Sequence, residues 1–166
     1  ALARRSNRRR NHSGGARFQT LTMYLDSAII VKLLVSEPDS PIFVKATKGQ
    51  PIASSELALT EVASALFKKQ RDNLLTPAER QRAWDTFMKW TDSEELVLYP
   101  LDTRTLRNAN RVLAIANPDV SVRSMDSIHV SSCDLSQDFP LCATDSRMRA
   151  AATKLHIPVF PESLPS

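Results

Sequence analysis

Four carboxylates carry most of the chemistry this sequence offers. Asp26 and Asp145 each directly follow a short apolar run, Met23-Tyr24-Leu25 and Leu141-Cys142-Ala143-Thr144. Glu61 and Asp126 fall inside helical patterns. At roughly 100° per residue, Glu61 lies within the apolar stripe of Leu57, Ala58, Val62, Ala65 and Leu66, and Asp126 shares a stripe with Val130 and Cys133. A carboxylate turned toward a core needs a cationic partner or a metal. For either residue alone, an Arg or Lys partner is the ordinary solution. For four gathered acids it is not enough, because like charges about 4 Å apart at an effective dielectric of ~20 repel by about 4 kcal/mol. A divalent cation relieves that repulsion, and all-oxygen ligation selects Mg²⁺ or Mn²⁺.

The elements around these acids follow from periodicity. Short apolar runs at 21–25, 51–53, 96–99, 141–144 and 157–160 predict buried strands. Amphipathic helices are expected between them. The first runs from Ser27 to about Val35, and the second from Pro41 to Lys48, ended by Gly49. A long helix follows, capped by Ser54 or Ser55 and reaching about Asp72. The next is announced by Thr76-Pro77-Ala78-Glu79, an N-cap, a proline at the first position and a capping-box acid. It extends to about Asp92. Three more are expected, from Asp102 or Thr103 to Ala116, from Ser124 to Leu135, and from Asp145 to about Leu155. Strands alternating with helices imply a three-layer α/β/α domain around a parallel sheet of four to five strands. In such a sheet ligands bind beyond the carboxyl ends of the strands, where Asp26 and Asp145 fall.

Composition narrows the options. The formal net charge is +4, but residues 1–22 hold six arginines and no acid, so the remainder carries −2. The basicity belongs to a leader, read as disordered or as a non-native extension ahead of Met23, with the domain spanning 23–163. Gly49 is the only glycine after Gly15, which excludes the Gly-rich phosphate loops of nucleotide-binding folds. Cys133 and Cys142 lack paired zinc-ligand spacing and read as reduced thiols of a cytoplasmic protein. No apolar run is long enough to span a membrane. Arg104, Arg107 and Arg111 form one stripe, read as a solvated face opposite Leu106, Ala109, Leu113 and Ala116. Trp84, Phe87 and Met88 form an apolar ridge, with Trp90 off it.

Met23-Tyr-Leu-Asp26-Ser-Ala-Ile-Ile-Val resembles the opening of PIN-domain ribonucleases, in particular the VapC toxins of VapBC toxin–antitoxin pairs. Ser54-Ser-Glu-Leu-Ala-Leu-Thr-Glu61-Val-Ala, Arg123-Ser-Met-Asp126-Ser-Ile-His129-Val and Cys142-Ala-Thr-Asp145-Ser-Arg147 resemble the family's second, third and fourth motifs, in order and at matching spacing. Ser127 and His156 depart from the family's usual Ala and Gly.

The resemblance implies metal-dependent endonucleolytic cleavage of RNA by the toxin of a type II toxin–antitoxin pair. Asp26 and Asp126 are the chief ligands of Mg²⁺ or Mn²⁺. Glu61 and Asp145 complete the site directly or through water, and one of them accepts the proton of a metal-activated water. Ser27 and Thr144 are supporting residues, their ordinary role being capping. Arg123, Arg147 and Arg149 are candidates for RNA phosphate. His129 reads as a packed residue. The implied partners are RNA and a cognate VapB-like antitoxin, received along the helix pair at 55–92 where Trp90 lies. The family often forms homodimers. The competing reading is a catalytically silent PIN-like module that binds RNA or protein. A phosphatase of the haloacid dehalogenase type also begins with a strand-end Asp, but it needs a second Asp two residues on, where this chain has Ala28.

Overall fold

A computed structural model describes residues 22–164; the leader read over 1–22 lies outside them, save Thr22. Five strands form one all-parallel sheet: β1 (Met23–Leu25), β2 (Ile52–Ser55), β3 (Leu96–Tyr99), β4 (Leu141–Cys142) and β5 (Val159–Phe160), in the order β3-β2-β1-β4-β5. Seven helices connect and cover them: α1 (Ser27–Leu34), α2 (Ser40–Thr47), α3 (Leu57–Arg71), α4 (Pro77–Asp92), α5 (Thr103–Ala116), α6 (Ser124–Ser136) and α7 (Ser146–Lys154).

The two-residue period of a strand assigns its side chains to opposite faces. Met23, Leu25 and Cys142 pack with Ile29, Ile30, Phe43, Val62, Leu66 and Phe87 from α1 to α4. Tyr24 and Leu141 point the other way, into a second core with Val112, Val130, Cys133, Met148 and Ala151 from α5, α6 and α7. Burial on both faces explains why the strands read as continuous apolar runs.

Helix starts are set by side chains that satisfy the free N–H groups of the first turn. Thr76 and Glu79 close the expected capping box on α4, and Asp102 accepts from Thr105 N at 2.8 Å on α5. Three expected starts are displaced: on α3 it is Glu56, not Ser54 or Ser55, that holds the N-cap position, both serines lying in β2. Asp26, not Ser27, caps α1, its Oδ1 accepting from Ile29 N at 2.8 Å. Arg123, not Ser124, holds the N-cap position of α6. On α5 the buried residues are Thr105, Ala109, Val112 and Ala116, while Leu106 is exposed, so the apolar face is turned one position from the expected one.

From β1 the chain builds outward through β2 and β3, then returns to place β4 on the other side of β1. The switch point between β1 and β4 opens the crevice in which parallel sheets hold their ligands.

Candidate active site

Asp26 and Asp145 are brought together by that topology. Asp26 follows β1 directly, and its N–H donates to Cys142 O of β4 at 3.0 Å. Asp145 follows β4 and caps α7, its Oδ1 accepting from Arg147 N at 2.9 Å and Met148 N at 3.1 Å. Asp126 stands in the first turn of α6, with Oδ2 3.4 Å from Arg123 N. Three of the four acids thus sit at helix N-termini, where the macrodipole favours an anion. Glu61 reaches the same crevice from one turn inside α3.

The four do not sit alike. Asp26 is buried, and its carboxyl is pushed up to about 6. Burial is the main cause; the negative charges of Glu61 and Asp145 add to it, against His129 and the Ile29 N–H. Asp126 is also raised, by burial and then by Asp145, against the Arg123 N–H and the charges of Arg123 and Arg147. Glu61 goes the other way. Burial would raise it, but hydrogen bonds from His129 and Ser27 outweigh that and hold it below the usual glutamate range.

Those donors form a closed network. Ser27 Oγ donates to Glu61 Oε2 at 2.6 Å, and His129 Nε2 lies 2.7 Å from the same oxygen and 3.2 Å from Ser27 Oγ. His129 Nδ1 meets the Tyr24 hydroxyl at 3.1 Å, so an Nε2–H that donates to Glu61 leaves Nδ1 to accept from Tyr24. Burial holds the Tyr24 phenol well above its ordinary range, which keeps it a donor. His129 is packed as the sequence suggests, but it also touches a site acid, which the sequence reading did not anticipate. The available signal is its position one turn beyond Asp126, on the face of α6 that carries the acid.

The supporting and basic residues divide. Ser27 is freed from capping and fixes Glu61. Thr144 lines, with Ser27 and Glu61, a groove of about 480 Å³ that runs between α1 and α3 toward Lys32, Lys68 and Lys69. Arg123 is exposed and Arg147 half-buried, its guanidinium 3.9 Å from Asp145. Both are available to an anion at the crevice. Arg149 is not. It is buried, with Nη1 donating to Ala143 O at 3.0 Å and Nη2 to Pro161 O and Glu162 O. Three carbonyls left without strand partners at the sheet's edge consume its donors, and the expected phosphate role is withdrawn.

Among the described residues, no three His, Cys, Asp or Glu side chains already stand as a preformed metal cage. The donor set nevertheless suits a hard divalent cation. It is all oxygen, Asp26 and Asp126 are raised in part by their acidic neighbours, and Mg²⁺ characteristically takes one or two carboxylates and keeps its waters.

A family model described as PIN domain matches residues 23–154. Ribonuclease VapC46 of Mycobacterium tuberculosis (strain ATCC 25618 / H37Rv) is 33% identical over 144 residues, covering 85% of this chain and 98% of that protein. Two crystal structures share the fold. FitAcB from Neisseria gonorrhoeae superposes with a TM-score of 0.61 at 11% identity. VapBC2 from Rickettsia felis, bound to a DNA fragment from their promoter, superposes with 0.59 at 13%. Each alignment covers 83% of this chain and 96% of the other.

Proposed function

This chain belongs to the PIN-domain family, in its VapC group, and from that premise we propose that it is the endoribonuclease toxin of a type II toxin–antitoxin pair, active with Mg²⁺ or Mn²⁺. The observation that carries the reading is the raising of Asp26 and Asp126, each in part by the charge of Asp145, at the β1–β4 switch point beside an ionised Glu61. Carboxylates that disfavour one another's charge are a poor structural device and a good cation site.

Asp26 and Asp126 would hold the cation, with Asp145 and Glu61 contributing directly or through water. When bound, such a cation supplies Lewis-acid activation of water and neutralises charge on the reacting phosphate. The chain's own residues do the rest. Glu61, kept deprotonated by Ser27 and His129, is oriented to accept a proton from an attacking water. Arg123 and Arg147 hold the phosphates flanking the scissile bond, supplying locally the attraction that a domain of net −2 lacks. Acting on RNA, it would work in the cytoplasm, and a VapB-like antitoxin would be the partner that silences it.

Cleavage of total RNA, mapped at nucleotide resolution, tests the reading. The wild type cuts with Mg²⁺ or Mn²⁺ and stops with EDTA, and Asp26→Asn and Asp126→Asn abolish cutting. Equal, EDTA-resistant activity in all three proteins refutes it. Calorimetric titration showing no Mn²⁺ binding favours the silent binding module instead.

A further inference from the structure

Tyr24 is a polar side chain in an apolar place. It lies on β1, the central strand, in register with Ala53 of β2 on one side and Leu141 of β4 on the other. Its ring is fully buried in the second core with Val112, Val130, Cys133 and Met148. A phenylalanine fills the same space with no hydroxyl to satisfy. That hydroxyl has one hydrogen-bond partner among the described residues, His129 Nδ1 at 3.1 Å, and the two rings meet edge-on at 73° with centroids 6.0 Å apart. Of the serines beside it, Ser54 donates to Leu25 O, and Ser132 Oγ makes no hydrogen bond. A phenol buried in this way donates its hydrogen, and Nδ1 is the atom placed to accept it. In a neutral imidazole the other nitrogen, Nε2, then carries the ring hydrogen.

The consequence reaches Glu61. Its two donors, His129 Nε2 at 2.7 Å and Ser27 Oγ at 2.6 Å, both meet Oε2. Oε1 makes no hydrogen bond among the described residues, and the Glu61 side chain keeps 23% of its surface exposed against 2% for His129. One oxygen is tied down and the other is left open. Resting on the ribonuclease reading above, we infer that Tyr24 is a positioning residue: it fixes the His129 Nε2–H on Glu61 Oε2, so that Oε1 is the oxygen left to take the proton of the attacking water. Tyr24 is fully buried and reaches neither RNA nor a cation. It acts from the second core, through a histidine, on an acid of the site. Without its hydroxyl Nδ1 has no donor, and nothing selects between the two neutral forms of the ring. The Nδ1–H form turns a lone pair of Nε2 toward Oε2, acceptor against acceptor, and releases that side of the carboxylate.

Long-range ¹H–¹⁵N correlation spectra of the metal-free full chain at neutral pH, with His129 assigned through His129→Gln, report which ring nitrogen carries the hydrogen. The wild type shows Nε2–H alone, and Tyr24→Phe shows both neutral forms. Phenylalanine keeps the ring and its packing, so the variant folds. RNA cleavage is measured beside it. In Tyr24→Phe kcat falls about tenfold, the low end for a lost outer hydrogen bond because Ser27 still holds Oε2. KM stays within about twofold, since a buried side chain binds no RNA. Val112→Ala, a cavity in the same core but on α5, separates this from simple destabilisation: it lowers Tm and leaves kcat and the ¹⁵N pattern unchanged. Hydrogen on Nδ1 in the wild type overturns the proposal. So does a Tyr24→Phe spectrum equal to that of the wild type, or a kcat that falls no further than in Val112→Ala. A wild type that cuts no RNA refutes the ribonuclease reading, and the ¹⁵N comparison still decides for or against Tyr24.

Discussion

Replacing Asp26 with asparagine stabilises the metal-free protein at neutral pH while removing a residue of the site. Burial and two neighbouring carboxylates raise this group from 3.8 to about 6 in the folded chain. The folded state therefore holds the proton more tightly than the unfolded one. Stability is greatest below the unfolded value, falls as pH rises through the window between 3.8 and about 6, and levels off above it. Roughly two units of difference correspond to about 3 kcal/mol lost by about pH 7.5. Asparagine carries no charge to bury and keeps an oxygen for the Ile29 N–H, the cap it would otherwise break. It forgoes the attraction to His129, so the net gain is about 1–3 kcal/mol, or roughly 3–9 °C in Tm for a domain of this size. Thermal melts in EDTA from about pH 4 to 8 measure it. The Asp26→Asn protein melts higher at about pH 7.5, and the gap closes toward about pH 4. A variant no more stable at neutral pH, or a gap that ignores pH, refutes the argument that Asp26 is a strained, cation-ready acid.

Four further outcomes follow from the same geometry. His129→Ala leaves the Tyr24 hydroxyl without its acceptor and Glu61 Oε2 without one of its donors, costing about 2–4 kcal/mol in urea unfolding; the Glu61 carboxyl then titrates at higher pH, read by ¹³C NMR. Arg149→Ala loses three charge-assisted bonds to backbone carbonyls and costs about 3 kcal/mol. Arg123→Ala instead stays within about 0.5 kcal/mol of wild type, and in an Asp26→Asn background it lowers the salt slope of RNA binding by about one. Thr76→Ala opens the capping box of α4 and lowers stability by about 1 kcal/mol, seen as a small drop in Tm with RNA cleavage unchanged.

Much of this molecule is written in short-range patterns. The alternation of apolar runs and amphipathic stretches defines the strands and helices, because periodicity acts within one element. The Thr76–Glu79 box and the Asp102 cap are equally local, each requiring only residues three apart. The positions of Asp26 and Asp145 after apolar strands, and of Glu61 and Asp126 on inward helical faces, come from the same source. Where local reasoning erred, two residues competed for one job. Asp26 takes the cap of α1 because its carboxylate reaches the Ile29 N–H, and Ser27, displaced from that role, turns to Glu61.

What the chain alone does not contain is which elements become neighbours. The return of β4 to the side of β1 joins acids more than a hundred residues apart, and it alone makes their charges interact. It likewise decides that His129 meets Glu61 and Tyr24. It turns Arg149 inward to carbonyls at the edge beside β5, while Arg123 and Arg147 stay at the crevice. Side-chain type sets what each residue can do, but long-range packing sets what it touches, and the pKa of a buried acid depends on what it touches.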